Sequence, residues 1–354
     1  MEPEATDWPD ELFNQLAVEL FALQFRFNPA YRKFCEARRI EEKDVSEWRA
    51  IPAVPAVAFK LSEMTSIEER DRNRCFFSSG TSQQERSRHY HSSVSLGIYE
   101  CALRHHFERS VIPFEQLKEY ELVFLTPRPE ETPNSSLNYM FGQFSLHSKV
   151  ACFFGKIEAN GGWGLDMEGL RMWLTERGPM GRPVFLFGTA FNYVQLLGGS
   201  GRNGKKWLLP KGSKVLETGG YKGRVREVGK GELYGAIAAS LGLAVSSIYS
   251  EYGMSELSSQ AYDSDSLHKA PEERRFRFPG WVRVQVISPE TGRAVRDGDQ
   301  GLIQVHDLAN VFSAGALLTG DLGVIEGEYF RLSGRAESML PKGCSLFAEE
   351  DKFQ

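Results

Sequence analysis

Between Leu122 and Tyr249 five short apolar runs alternate with segments of helical spacing, and this alternation constrains the fold more than any other feature. The runs cover residues 122–125, 150–154, 184–187, 214–218 and 244–249. Each is short and nearly continuously apolar, as strands buried on both faces are. Helices are predicted over 135–144, 165–176, 189–197 and 231–241. Strands and helices in turn give an α/β fold, a sheet covered by helices, whose ligands bind beyond the carboxyl ends of the strands. Gly188-Thr189, Gly219-Gly220 and Glu251-Tyr252-Gly253 fall at those ends.

The flanks read differently. Leu12, Leu16, Leu20, Leu23 and Phe27 recur at helical spacing and predict an amphipathic helix over 10–27, with Pro9 at its start and Asn28-Pro29 at its end. A second short helix carries Tyr31, Phe34 and Cys35; the region is a packing unit or a lid. Pro52 and Pro55 exclude a helix over 51–60 and favour an extended, half-buried segment. A helix is predicted over 92–109, with Val94, Ile98, Cys101 and Leu103 partly on one face. After Pro279 the period becomes two at Val282, Val284 and Val286, and further runs follow at 302–305, 323–325 and 328–332. Gly-rich turns, including one at Gly327, make this an antiparallel, β-rich subdomain. The expected units are a helical segment 1–50, an α/β core 51–278, a β-rich subdomain 279–333 and a short tail 334–354. The Gly/Ser/Lys stretch 198–206 is expected to be a mobile surface loop.

Composition removes several classes of function. A net charge of −5 gives no footprint for nucleic acid. No apolar run is long enough to span a membrane, and the acidic, proline-bearing start is the opposite of a signal peptide. Cys35, Cys75, Cys101, Cys152 and Cys344 are odd in number and scattered, with no CxxC, so neither a zinc site nor a disulfide framework is indicated. A reducing cytoplasm is the expected location, with free thiols available for chemistry.

Three stretches carry the candidate chemistry. In Ser78-Ser79-Gly80-Thr81-Ser82, Gly80 lets the backbone approach a ligand, and hydroxyls stand beside backbone N–H groups. Such a turn either cradles a phosphate without fixed charge or is a polar surface loop. The second stretch is Tyr249-Ser250-Glu251-Tyr252-Gly253-Met254-Ser255-Glu256 at a strand end. The third is Thr319-Gly320-Asp321-Leu322-Gly323, followed by Gly334-Arg335. Each residue has a plain alternative: Tyr252 as core, Glu256 as a cap or surface carboxylate, Asp321 as a turn former, and Arg335 as a surface ion pair. No metal-ligand spacing is found among the histidines; they read as structural or surface residues, with His89 a phosphate-side candidate.

Taken in order, the three stretches resemble the adenylate-forming superfamily of acyl-CoA synthetases and their relatives. Pro52-Ala53-Val54-Pro55 with Phe59-Lys60, together with Arg335 and Gly343-Cys344-Ser345-Leu346, resembles more narrowly the acyl-protein synthetase (LuxE-type) family, from about Pro52 to the end. The resemblance implies an adenylate-forming large-domain fold with a β-rich subdomain. Few residues follow Arg335, so the usual mobile C-terminal domain is expected to be lacking. It implies ATP and Mg²⁺ as cofactors and a carboxylic acid, of the fatty class, as substrate. Ser78 to Ser82 would hold the β- and γ-phosphates. Gly219-Gly220 would line the adenine and acyl-adenylate pocket, and Tyr252, beside Gly253, would stack on adenine. Glu256 would bind Mg²⁺, Asp321 the ribose hydroxyls, and Arg335 ribose or phosphate. Cys344 would accept the acyl group, with Lys342 placed to favour the thiolate; the alternative is an inert thiol in a loose terminus. An acyl reductase or acyltransferase would be the protein partner. Gln83-Gln84-Glu85 departs from the family's loop, and Glu85 beside phosphate is unfavourable unless Arg86 and Arg88 offset it. An acid–CoA ligase or aryl-acid adenylating enzyme, and a non-catalytic subunit with a degenerate fold, are the other readings.

Overall fold

The computed structural model describes residues 8–78, 86–159, 161–177, 181–198, 206–220 and 228–336. The N-terminal part carries α1 (Asp10–Phe27), α2 (Pro29–Glu36), β1 (Val54–Pro55), α3 (Ala58–Leu61), β2 (Arg74–Phe77) and β3 (Arg88–His91). The central part carries α4 (Ser93–Ser110), α5 (Phe114–Leu117), β4 (Glu121–Phe124), α6 (Ser136–Ser145), β5 (Ala151–Phe153), β6 (Gly155–Ile157), β7 (Trp163–Leu165), α7 (Met167–Arg177), β8 (Val184–Gly188), α8 (Ala190–Gly198), β9 (Lys214–Glu217), α9 (Lys230–Leu241), β10 (Ile248–Tyr252) and β11 (Ala261–Tyr262). The last strands are β12 (Val282–Ile287), β13 (Gln300–Asp307), β14 (Ala316–Glu326) and β15 (Tyr329–Arg335).

The alternating region forms a six-stranded sheet in the order β11-β10-β9-β8-β4-β5, parallel except for β11 at one edge. Alternation along β8 shows why these strands are apolar throughout. Val184 and Leu186 face the cluster built with α7, α8 and α9, while Phe185 and Phe187 face α4, α5 and α6. On the second face Phe124 stacks between Phe153 and Phe187, at 4.5 and 4.9 Å between centroids. Each ring buried there contributes about 2–3 kcal/mol.

The second sheet runs β1-β14-β13-β12, with β15 also on β14. It is mixed rather than purely antiparallel, because β1 pairs parallel with β14 at Leu317 and Leu318. Gly327 turns the β14–β15 hairpin with φ +66°, as its position between the two apolar runs requires. The extended segment predicted through Lys60 ends earlier, since α3 begins at Ala58, beyond the reach of Pro55. The predicted strand over 244–249 begins only at Ile248; a 3₁₀ turn occupies Val245–Ser247, whose Val245 carbonyl is taken by the buried Arg274 guanidinium at 2.9 Å.

Two helices bury a different face from the one the leucine spacing picked out. On α1 the buried residues are Phe13, Ala17, Leu20, Phe21 and Gln24, while Leu12, Leu23 and Phe27 are exposed. The two stripes are adjacent, and the larger rings of Phe13 and Phe21 take the inward one. Gln24 fixes it there. Its amide donates to the carbonyls of Asn310 (2.7 Å) and Val311 (3.1 Å) and accepts from Gly315 N–H (2.9 Å). On α4, Val94 and Cys101 are exposed and Tyr99, Ala102, Leu103, His106 and Phe107 are buried. No helix among the described residues is long and apolar enough to cross a membrane. The stretch read as a mobile loop lies, from 199 to 205, outside the described residues.

Candidate active site

The serine-rich stretch is carried by a β-hairpin that sequence reading missed. β2 and β3 pair from Arg74↔His91 to Phe77↔Arg88. The stem closes where Ser78 N–H donates to Ser87 O (3.2 Å) and Ser87 N–H to Ser78 Oγ (3.0 Å). Ser79, Gly80, Thr81 and Ser82, like Gln83-Gln84-Glu85, lie outside the described residues, as does Cys344. Alternation along β3 turns His89 and His91 inward, where burial lowers their pKa values to about 4 and about 2. His89 Nδ1 stands 2.9 Å from Ser255 O. That bond ties the hairpin stem directly to the second candidate stretch.

Tyr252 ends β10, and its backbone enters the loop that carries Glu256. The loop is pinned from below by the end of β13. Asp307 accepts from Ser258 N–H (3.0 Å), Ser259 N–H (2.9 Å) and Ser259 Oγ (2.8 Å), and Asn310 Nδ2 donates to Glu256 O (2.8 Å). The Glu256 side chain is buried, with the Ser255 hydroxyl 3.1 Å from Oε2. Gly253 leaves room for a neighbour: a Cβ there would lie 2.3 Å from Glu251 Oε1.

The third stretch lies inside β14 rather than in a turn. Asp321 is paired with Arg335 in the β14–β15 register, and Asp321 Oδ1 is 3.5 Å from Arg335 Nε. Asp321 Oδ2 accepts from the Tyr252 hydroxyl at 2.9 Å. Burial raises the Asp321 pKa, against the opposing pull of Arg335 and Tyr252. Thr319 sets the local backbone by accepting from Asp321 N–H (3.1 Å) and donating to Ile303 O (3.0 Å). Gly320, at φ +81°, provides a conformation that side chains disfavour. The Tyr252 ring is only 8% exposed and packs edge-on to Phe278 and Phe330, with Phe276 also against it. An open ring face for stacking is therefore not what this conformation presents; its hydroxyl is what reaches the site.

Gly219 and Gly220 follow β9 with φ of +58° and +81°, and nothing stands within 4 Å of where either Cβ would be. The turn is held by the buried Glu217, whose Oε1 accepts from Gly219 N–H at 2.5 Å, while Tyr234 and Ser250 hydroxyls donate to Oε2 at 3.0 and 3.2 Å. Burial raises the pKa of Glu217. Glu217, Asp307 and Asn310 were not singled out in the sequence, and His89 was read there as a phosphate-side candidate rather than as the tie to Ser255. Glu217, directly before Gly219's turn, had a legible signal: a carboxylate ending an apolar strand. The others act through folds of the chain that no spacing reveals. Among the described residues Cys35, Cys75, Cys101 and Cys152 are not joined in disulfides.

One structure of 2-hydroxyisobutyryl-CoA ligase, in complex with 2-HIB-AMP and CoA, superposes with a TM-score of 0.65 at 15% identity, covering 92% of this chain and 74% of that one. ATP-bound MatB from Rhodopseudomonas palustris superposes with a TM-score of 0.50 at 17% identity; the match covers 76% of this chain and 49%, about half, of that structure. The fold is that of the adenylate-forming ligases, matched mostly over their large domain. Residues 4–352 match the family described as acyl-protein synthetase, LuxE, and the chain belongs to that family. Long-chain-fatty-acid–luciferin-component ligases of Vibrio harveyi and Aliivibrio fischeri are 22% and 20% identical over 348 and 350 residues, each match covering 95% of this chain and 87% of the relative.

Proposed function

We propose that this protein activates a carboxylic acid with ATP as the acyl-adenylate and then passes the acyl group to the thiol of Cys344. The observation that carries the reading is the meeting of Tyr252, Asp321 and Arg335, from three separated segments, beside an open Gly219-Gly220 turn. In the first step an oxygen of the acid attacks the α-phosphorus, and the bond to the bridging oxygen breaks to release pyrophosphate. In the second, the Cys344 thiolate attacks the acyl carbonyl and AMP leaves with the bonding electrons.

Ser78, through its hydroxyl hydrogen, and Ser79, Gly80, Thr81 and Ser82, through backbone N–H and hydroxyl groups, bind the β- and γ-phosphates. Gly219, Gly220 and Gly253 let the backbone approach adenine. Asp321 accepts from the ribose hydroxyls, held by Tyr252, and Arg335 contacts ribose or phosphate. Glu256 fits a Mg²⁺ ion that rides on ATP, because a hard cation of this kind needs one or two carboxylates when phosphates complete its shell. Bound there, Mg²⁺ would neutralise phosphate charge. Among the described residues no group of three or more His, Cys, Asp or Glu forms a self-contained metal site, which agrees with an ion carried by substrate.

A fatty acid is the substrate class carried by the names of the two bacterial relatives. An acyl reductase or acyltransferase would take the activated group onward, in a cytoplasm that keeps the thiols reduced. ATP–pyrophosphate exchange over a panel of acids, with and without coenzyme A, tests the first step. Labelling with radioactive acid and ATP tests the second: the wild type acquires hydroxylamine-sensitive label and Cys344→Ala does not. Equal labelling of both would remove Cys344 from the mechanism. Label passing only to coenzyme A would make the protein an acid–CoA ligase.

A further inference from the structure

The antiparallel pairing of β10 with β11 puts Glu251 directly opposite Tyr262. Glu251 and Tyr262 therefore share one sheet face, and Gln260, just before β11, comes close to Glu251 where both flank the Cβ position of Gly253, at 3.5 and 2.3 Å. That face is turned toward α4. The ring of His106 lies 5.4 Å from Tyr262, and Glu251 acts electrostatically on Tyr99. His91, from the hairpin stem, is 6.2 Å from the Tyr99 ring. The patch therefore lies directly before Tyr252 on β10, with α4 and, through Tyr99, the stem of the Ser78 hairpin packed beside it.

These residues are polar, more than nine-tenths buried and poorly satisfied. Gln260 Oε1, Tyr262 Oη and His91 Nε2 are buried without a hydrogen-bond partner among the described residues. The Glu251 carboxyl, 7% exposed, makes no hydrogen bond among the described residues. Burial, with the Glu217 charge behind it, raises its pKa to about 8, so it is neutral and can donate at pH 7. Buried polar groups are normally paired, and each unpaired one calls for a missing partner. A plain alkyl chain laid here would leave all of them unmet.

We propose that Glu251, Gln260 and Tyr262 recognise a hydroxyl group close to the carboxyl end of the acid, so that the preferred substrate is a 2- or 3-hydroxy acid rather than an unsubstituted one. This rests on the adenylation reading. A site built to hydrogen-bond a substrate hydroxyl discriminates strongly against the analogue that lacks it, because its own polar groups are then left unpaired. The residues are specificity determinants: they choose among acids without touching the phosphorus that reacts.

The test is ATP–pyrophosphate exchange with octanoate, 2-hydroxyoctanoate and 3-hydroxyoctanoate on the full chain. In the wild type one hydroxy acid should exceed octanoate in kcat/KM by at least about tenfold. In Tyr262→Phe that ratio should fall to within about threefold. Glu251→Gln, which keeps the volume, serves as the second variant where Tyr262→Phe does not fold, and should also shift the ratio toward one. Equal use of all three acids by the wild type, as expected if the patch holds only internal water, overturns the proposal alone. A ratio unchanged in both variants overturns it as well. No exchange with any of these or a wider panel of acids overturns the adenylation reading, and this inference with it.

Discussion

The Tyr252 hydroxyl donates to Asp321 Oδ2 across 2.9 Å and joins the end of β10 to the interior of β14. The two sheets are thereby coupled at the point where ribose is proposed to bind. Tyr252→Phe keeps the ring packing against Phe278 and Phe330 and removes only the donor. The expected result is a rise in KM for ATP of about three- to tenfold with kcat little changed, since one supporting hydrogen bond to Asp321 is lost. Asp321→Ala removes the acceptor itself and should lower kcat/KM for exchange on the order of a hundredfold. Exchange kinetics check both, and thermal unfolding midpoints near wild type would separate the effect from misfolding.

Glu251 makes stability depend on pH. It faces Tyr99 from α4 and Tyr262 from β11, and the Glu217 carboxylate lies toward β9. Its pKa in the fold, about 8, is above the ordinary glutamate value, so the folded chain holds a proton that the unfolded chain releases. The stabilising protonated form is intact below the unfolded pKa and is lost as pH rises through the folded one. Glu251→Gln should therefore gain stability relative to wild type as pH increases from 5 to 8, and the gain should level off above about 8. Unfolding midpoints of the two proteins across that range provide the check.

His306 should act with the opposite sign. It is buried against Trp48 at 4.9 Å, and its pKa is lowered to about 3, first by burial and then by Arg49. Here the unfolded chain takes up the proton first. The stability contributed by the neutral ring is present above the unfolded value and is lost as pH falls toward the folded one. Between pH 6 and 4 wild type should lose about 1.4 kcal/mol per pH unit relative to His306→Phe. Chemical denaturation at matched pH values would show a flat difference if His306 remained exposed.

Glycines of the central part differ sharply in what they tolerate, whether in a short strand or in a helix. A Cβ on Gly155 would stand 2.0 Å from the Thr126 carbonyl carbon and 2.1 Å from Pro127 N, both backbone atoms. Gly155→Ala should cost about 3 kcal/mol or more, because neither segment can give way without moving β4 or β6. Gly97, on α4, has nothing within 4 Å of such an atom. Gly97→Ala should stabilise by about 0.5–1 kcal/mol through helix propensity and the unfolded chain. Denaturant unfolding of the pair measures both signs.

The parallel sheet was legible because strands buried on both faces must be continuously apolar, and 122–125 and 184–187 have that composition. The inward stripe of α1 was not. Leucine spacing alone cannot choose between two adjacent apolar stripes, and the choice falls to Gln24, whose three partners lie some 290 residues away. The candidate site divides in the same way. Gly219-Gly220, Tyr252 and Asp321 stand in local motifs. Glu251, Gln260 and Tyr262 become a patch only when an antiparallel register brings them together. His89 looked like a phosphate-side residue because it follows the loop, but strand alternation turns it inward to Ser255.

The pairing of β1 with β14 has a kinetic consequence. Val54 meets Leu317, and Ala56 N–H donates to Leu318 O at 3.0 Å, one residue before the Thr319-Gly320-Asp321 stretch. During synthesis the dipeptide Val54-Pro55 leaves the ribosome long before its partner exists. It must wait as an unpaired edge until β14 has been made, while the strands of the other sheet, all earlier in the chain, are already present. Closing so long a loop is entropically slow to nucleate, although it adds little to the cost of the finished structure. Competence to bind nucleotide should therefore appear last, in one step, when β14 docks and brings Asp321 to Tyr252.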